Sequence, residues 1–587
     1  MTNPIRIANC SGFYGDRLSA AREMIEGGPI DVLTGDWLAE LTMLILAKNL
    51  AKDETTGYAK TFVRQMEDVM ELVLTKNIRV VANAGGLAPH NCARAIAEIA
   101  EKKGLSPKIA VVDGDDLLPR MDELRGLGVT FPHMESGEPL PEDGVMTANA
   151  YMGGWGIANA LKRGADIVVT GRVTDAAVVM GPAMWHFDWR YDDYDALAGA
   201  LVAGHVIECG TQATGGNYSF FTDIPRMDDL GFPIAEIRED GSSVITKHAA
   251  HGGAVRVGTV TAQILYETDT PLYLNPDVSA YFDTICLKEV GDDRVEISGV
   301  KGAPPPETLK VCVNLEGGYR TTHTFLLTGL NIEEKAKAAE GALWAKFPGG
   351  KSYFDECDVQ LVRSDRQNPD TNVAAIALLR ITAKDKDKAK VGRNFFEKAT
   401  EIGLASYPGL ARLPAQSGSY GVFWPALVPA KHVAQRVTVD GVAEVLVPPA
   451  HDPPPNAPYF AATELPVFDA AGPTEDVPLG RIVGARSGDK GGNVNVGFWA
   501  ETDEGYAWLV NFLTVERFHA LVPDAAGFEV ARHVLPNILA VNFVIRGLLG
   551  EGVASSSRID PQAKGFGEYV RAKIVSIPET LLNEESL

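Results

Sequence analysis

The stretch Asp166-Ile-Val-Val-Thr-Gly-Arg-Val-Thr-Asp-Ala-Ala-Val-Val-Met-Gly-Pro182 decides the fold class. Residues 167–170 form a β-branched run without charge, which suits a strand buried on both faces, as in a parallel sheet covered by helices. Gly171 permits a tight turn, Thr174 or Asp175 can N-cap a helix starting at Ala176, and Pro182 is expected to end that helix. A buried strand feeding a helix through a polar turn is a place where α/β proteins keep their chemistry. This turn carries Arg172 and Asp175.

Working outward, the same strand–turn–helix unit recurs upstream. Strands are predicted over 5–9, 30–34, 78–82 and 109–113, with helices over 19–26, from about 40 to 48, 61–75 and 92–102. Five such units in series predict an α/β fold, a Rossmann-like parallel sheet covered by helices. Asp31-Val-Leu-Thr-Gly-Asp36 echoes Asp166-Ile-Val-Val-Thr-Gly-Arg172, which suggests that both turns share a geometry and a sheet edge.

Further along, 197–209 reads as a buried helix and 255–266 as strand-like. The Pro-rich 302–306 marks a boundary at about residue 303. Residues 304–447 predict an α+β domain with helices over 332–346 and 388–403. Residues 448–478 hold nine prolines and predict an extended linker without regular structure. The remainder, 479–587, predicts a second small α+β unit. It opens with a strand over 481–485 and a Gly-rich turn, Arg486-Ser-Gly-Asp-Lys-Gly-Gly-Asn493, and has helices over 514–522 and 561–575.

The chain of 587 residues carries 54 Lys and Arg against 77 Asp and Glu, a net charge of −23. That balance, with no compact basic stripe, argues against nucleic acid and anionic membrane as partners. The six cysteines are scattered with no Cys-x-x-Cys, which predicts reduced thiols and a cytoplasmic location. No signal-peptide pattern and no apolar run of membrane-spanning length is present.

Chemistry is expected at the turns that follow the strands. These carry Asp16 and Arg17; Asp36; Asn83, Gly85 and Gly86; and Arg172 and Asp175. In a parallel sheet they gather at the carboxyl edge, where helix N-termini add N–H donors for a carboxylate, phosphate or enolate oxygen. Helix capping explains any one of them, but charged groups at several turns favour a shared site. The dinucleotide fingerprint, the P-loop and the Gly-x-Ser-x-Gly elbow are all missing, so no bound cofactor is predicted. His248 and His251 lack a His-Glu-x-x-His setting for zinc. Lys247 beside them is a candidate base or anion ligand. The loop 486–493, with Arg486, Ser487, Asp489 and Lys490, reads as a backbone cradle for an anion, or else as a plain tight hairpin.

The pieces Cys10-Ser-Gly-Phe-Tyr-Gly-Asp-Arg17, Leu33-Thr-Gly-Asp-Trp-Leu-Ala-Glu40, Asn83-Ala-Gly-Gly86 and Gly171-Arg-Val-Thr-Asp175 resemble the AtuA family of acyclic terpene utilisation. So do Cys209 through Gly215-Gly216-Asn217, and Gln263-Ile-Leu-Tyr-Glu267 with Pro276-Asp277-Val278. Arg486-Ser-Gly-Asp-Lys-Gly and Asn542-Phe through Arg546-Gly-Leu-Leu-Gly-Glu551 resemble the ferredoxin-fold domain attached to that family. The resemblance implies bacterial catabolism of terpenoid or other branched acids as CoA thioesters, alongside acyl-CoA carboxylases and hydratases.

With the thioester substrate taken from that resemblance, the expected enzyme is a hydratase or carbon–carbon lyase acting on a branched acyl-CoA or 3-hydroxyacyl-CoA. Asp36 or Asp175 is the expected base, with Arg172 and the Gly85 and Gly86 amides on oxyanions. Lys247, Arg486 and Lys490 are expected to hold CoA phosphates or a carboxylate. A divalent metal on Asp36, Asp113 and Asp175 is conceivable but not signalled. A homo-oligomer is expected. The alternative is a non-catalytic subunit that binds acyl-CoA or stabilises a carboxylase.

Overall fold

The computed structural model describes residues 3–447, 449, 452–455, 457–460, 464–469 and 472–582. An eleven-stranded sheet forms its centre. The five strands read from the sequence are all present and mutually parallel, in the order Ile5–Asn9, Val32–Gly35, Arg79–Ala82, Ile167–Thr170, Ile109–Asp113. Strand 167–170 lies between the third and the fourth, so its turn opens at the middle of the parallel core.

The sheet as a whole is mixed, which corrects the expectation of a purely parallel one. Beside Ile5–Asn9 run Pro233–Ile237, Ser243–Lys247, Arg294–Ser298 and Cys286–Gly291. Beside Ile109–Asp113 run Gln435–Val439 and Val442–Leu446. All of these pairings are antiparallel. The parallel strands are linked through helices, whereas the flanking ones come in tight hairpins, which force antiparallel pairing.

The echo between 31–36 and 166–172 has a common physical basis. Asp31 Oδ2 accepts the Arg6 amide at 2.8 Å, and Asp166 Oδ2 accepts the Lys108 amide at 2.8 Å. Each Asp ties an amide at the start of a neighbouring strand, at the amino edge. Each Thr-Gly then delivers the chain to the carboxyl edge.

The helix after Gly171 spans Ala177–Phe187 and runs through Pro182 instead of ending there. Pro182 has no N–H to give the Val178 carbonyl. The Thr34 hydroxyl lies 3.2 Å from that carbonyl and 2.9 Å from the Val81 carbonyl, and supplies a donor from the second strand. The residues of this helix from Ala177 to Met184 are all buried, so packing outweighs the local penalty. The strand-like 255–266 is a buried helix, Val257–Leu265. A segment buried nearly all round does not distinguish the two states by periodicity.

The chain forms two compact units. One holds Met1–Asn314, Trp424–Val553 and Gln562–Leu587, the other Leu315–Phe423 and Ala554–Pro561. The second unit pairs Glu356–Val362, Ile376–Asp385 and the end of the long strand Thr308–Thr328. Its core is packed by Ile332–Trp344 and Phe395–Glu401 through Phe325, Trp344 and Phe395.

Within the first unit, the C-terminal residues build a four-stranded antiparallel sheet ordered Gly484–Lys490, Asn493–Trp499, Ala540–Ile545, Val530–Leu535. The predicted helix 561–575 shortens to Phe566–Arg571 and is followed by the strand Ile574–Pro578. That strand pairs with Thr474–Pro478. The expected linker 448–478 therefore ends in regular structure, and its residues 448, 450–451, 456, 461–463 and 470–471 lie outside the described residues.

Gly85 follows the third strand where the backbone meets its neighbours closely. A Cβ there would stand 2.4 Å from the Thr170 carbonyl oxygen and 2.6 Å from Pro89 Cβ. Gly85→Ala should lower stability by about 1–3 kcal/mol, as overpacking at a rigid backbone does, read as a fall in Tm. An unchanged Tm would show that the sheet edge yields.

Candidate active site

The carboxyl edge of the parallel strands is organised by a buried cation. Arg172 is only 2% exposed. Its Nη1 donates to Asp175 Oδ1 at 2.5 Å and to the Val173 carbonyl at 2.9 Å. Its guanidinium lies 4.1 Å from the centre of the Tyr151 ring. Its Nε is buried without a partner. The Arg172 amide donates to Asp115 Oδ2 at 2.9 Å, which also accepts Asn149 Nδ2 at 2.8 Å.

Asp36, after the second strand, is held from both sides. Its Oδ1 accepts the Leu38 amide at 2.9 Å and the Asn83 side-chain amide, while Asn83 Oδ1 accepts the Trp37 amide at 2.9 Å. Burial and the negative charge of Asp175 push the Asp36 carboxyl well above the usual carboxylate range, against the pull of Arg172. Asp175 is pushed up by burial as well, with Arg172 acting downward and Glu267 and Glu40 adding to the rise. The two carboxyls together therefore retain protons at pH values where an exposed Asp has lost its own.

Two features were legible only as fragments. Glu40 opens the helix Glu40–Leu50. It accepts the Tyr151 hydroxyl at 3.0 Å and pairs with Lys310 at 3.2 Å. Against burial, the Lys310 and Arg172 cations pull it down to about 2. Glu208, after the helix Tyr194–Ile207, is raised by burial and by Asp175 and Glu267. His205 beside it is lowered to about 4 by burial, so its ring is neutral at pH 7.

The segment 486–493 comes to the same place. It is a hairpin turning at Gly491 and Gly492, with Gly488 opposite Asn495 and Lys490 opposite Asn493. Arg486 to Lys490 thus lie in a strand, and the expected backbone cradle is replaced by side chains. Arg486 bonds the Gln212 side chain and stacks 4.2 Å from the Tyr266 ring centre, where Lys564 also lies at 4.2 Å. Lys490 donates to the Glu267 carbonyl at 2.6 Å and lies 5.4 Å from the Tyr273 ring centre. Asp489 is raised to about 7, chiefly by burial and by the charge of Glu267.

Asp175 and Glu40 keep 26% and 29% of their side-chain surface open. Cys209, Tyr273 and Lys490 are likewise half-buried. Such groups line a recess. One wall is the carboxyl edge of the sheet, and the other is the C-terminal hairpin.

Other expected site residues serve local structure. Asp16 Oδ2 accepts the Gly12 amide at 2.8 Å, and Arg17 pairs with Glu23 at 2.8 Å and bonds the Leu230 carbonyl. Lys247 is spent on Asp293 and the His251 carbonyl, both at 3.0 Å, so its ammonium closes a strand end and meets none of the recess carboxyls. Ser487 accepts the Gly567 amide and donates to the Ala563 carbonyl. The Gly86 amide is used by the Asn83 carbonyl, and close packing requires a glycine at 85. Asp113 is engaged by His90 and Arg436, both at 2.6 Å, away from Asp36 and Asp175. Among the described residues no group of three or more His, Cys, Asp or Glu is placed to hold a metal ion.

The fold is that of an α/β protein with buried carboxyls and a buried guanidinium gathered at the carboxyl edge of its sheet, beside a C-terminal antiparallel unit. The family model of the acyclic terpene utilisation family protein AtuA matches residues 5–439, and that of the AtuA ferredoxin-like domain matches 477–576. The chain belongs to the AtuA family, and its role lies in terpene catabolism. No curated protein and no solved structure matches it. No helix among the described residues is long and apolar enough to cross a membrane.

Asp115 gives a test of the local electrostatics. Burial raises its folded pKa to about 7, against about 3.9 for an unfolded Asp. The folded state therefore holds the proton longer, and the contribution of Asp115 to stability falls as pH rises from about 4 to about 7. Asp115→Asn can still accept both amides. Its Tm relative to wild type should become more favourable from pH 5 to pH 8, measured by thermal melts at matched ionic strength.

Proposed function

We propose that the protein is a cytoplasmic enzyme of acyclic terpenoid or branched-chain acid catabolism that acts on an acyl-CoA or 3-hydroxyacyl-CoA thioester, as a hydratase or carbon–carbon lyase. The observation that carries this reading is the gathering of two held carboxyls, Asp36 and Asp175, at one sheet edge. Burial raises both, Asn83 and Arg172 hold them in place, and Asp175 opens on a recess.

Both reactions need a group that gives and takes a proton and cations that stabilise a thioester enolate. Asp175 is the half-open member of the pair and exchanges the proton with substrate. Asp36, within the field of Asp175, is the second carboxyl of the site. Arg172 is too buried to meet a bulky substrate and acts by positioning Asp175. Lys310, which pairs with Glu40, and half-buried Lys490 are suited to a developing oxyanion or a substrate carboxylate. CoA enters only as part of the substrate. Assembly into homo-oligomers and association with an acyl-CoA carboxylase belong to the same reading.

Purified protein should convert at least one member of a panel of methyl-branched 3-hydroxyacyl- and enoyl-CoA esters, followed by mass spectrometry. Asp175→Asn should lose about 10²–10⁴-fold in turnover, the usual contribution of a positioned acid or base, in a chain that still folds by circular dichroism but melts earlier, because buried Arg172 loses its counter-charge. If no thioester reacts and a carboxylase co-purifies, the protein is instead a non-catalytic subunit.

A further inference from the structure

We propose that Glu267 is a second catalytic carboxylate of the recess and that the C-terminal antiparallel sheet is the device that holds it there. This rests on the thioester reading above. Hydration and dehydration exchange protons at two places, at C2 and at the C3 oxygen. The Asp36–Asp175 pair serves one of them, so a second proton-transfer group has to face the same space.

Glu267 follows the helix Val257–Leu265. Its negative charge reaches Asp175, His205, Glu208, Cys209, Tyr266, Tyr273, Asp489 and Lys490, which places it centrally among the groups lining the recess. Among the described residues its carboxylate takes no hydrogen bond and forms no ion pair. Two buried guanidinium groups in the same site, Arg172 and Arg486, each keep an Nε–H without a partner.

The backbone of Glu267 has φ +57°, a left-handed conformation that costs a side-chain-bearing residue energy. The C-terminal sheet pins it. Lys490 Nζ donates to the Glu267 carbonyl at 2.6 Å. Asn495 Nδ2 and Asn542 Nδ2 donate to the Thr268 carbonyl at 2.9 and 2.8 Å. Arg546 grips both oxygens of Asp269 at 2.7 and 3.0 Å. Gly488 and Gly497 let the sheet close on the helix end, since a Cβ would stand 2.3 Å from the Tyr266 ring and 2.7 Å from Leu265 Cβ. Four side chains from three strands and the adjoining turn thus hold three consecutive residues.

In the dehydration direction Glu267 takes the C2 proton. The C2–H electrons become the C2–C3 double bond, the C3–O bond breaks, and the departing hydroxyl takes a proton from the Asp36–Asp175 pair. Enoyl thioester and water leave, with Glu267 protonated and the pair ionised. Hydration runs the same steps backwards.

The test uses the full chain and the thioester panel. Glu267→Gly accepts the left-handed backbone without cost, so its Tm should equal or exceed that of wild type, while turnover of any thioester the wild type converts should fall at least ~100-fold. Turnover within about threefold of wild type overturns the proposal. So does a clear drop in Tm in both Glu267→Gly and Glu267→Gln, which would make the carboxylate structural. For the clamp, Asn542→Ala should speed amide hydrogen exchange over residues 266–270, and unchanged exchange there refutes it. A wild type that converts no thioester fails the earlier reading itself. Conversion by wild type with conversion retained in Glu267→Gly fails this one alone.

Discussion

A guanidinium taken out of water has to be answered by charge and polar groups around it, and much of the site follows from that requirement at Arg172. The isolated cost of burying such an ion is several kcal/mol. Here it is offset by Asp175 at 2.5 Å, by the Val173 carbonyl and by the face of Tyr151. Each of these brings another element with it. Tyr151 carries Glu40 and Lys310, Asp175 brings Asp36 into its field, and the Arg172 amide fixes Asp115. The Arg172 turn is thereby joined to the turns that carry Asp36, Asp115 and Tyr151 and, through Tyr151, to the long strand that carries Lys310.

The C-terminal unit has to be understood against this arrangement. Its core is self-contained, with Phe498, Phe518 and Phe543 packed together. Its buried polar side chains are another matter. Asn495 and Asn542 are 0% and 1% exposed, and both aim at carbonyls of the turn after the helix Val257–Leu265. Buried amides are costly unless bonded, and their only value here is to fix that turn. The hairpin 486–493 supplies Arg486, Asp489 and Lys490 to the same recess.

The parallel core was legible because five β-branched or apolar runs each feed a helix. The echo of Asp31 and Asp166 was legible because both do one job at the amino edge. What the local pattern did not reveal depended on distant partners. Pro182 sits inside a helix because Thr34, nearly 150 residues earlier, approaches the Val178 carbonyl. The segment 257–265 is buried nearly all round, Thr259, Thr261 and Gln263 included, so no polar face betrays a helix. Asp36, Asn83, Arg172 and Asp175 were found as turn residues and do meet. Lys247, of the same chemical type as Lys310, is paired away by Asp293. Nothing within a few residues of either lysine tells them apart. Tyr151 and Lys310 had no signal at all, whereas Glu40, Cys209 and Glu267 lay inside stretches that resembled the family without a role.

Physical cost separates a site from a set of caps here. A sheet edge that needed only helix caps would be served by Asn or Ser at positions 36 and 175, which satisfy amides without an ionisable group. Asp36, Asp175 and Glu208 are instead enclosed in one another's fields, and each must hold a proton or suffer its neighbours' repulsion at neutral pH. Their folded pKa values are raised, so together they lower stability as pH climbs above the ordinary carboxylate range. Glu267 adds a left-handed backbone to that cost. An arrangement that spends stability on protons held ready beside a half-open recess is suited to moving them, and stability alone does not explain it.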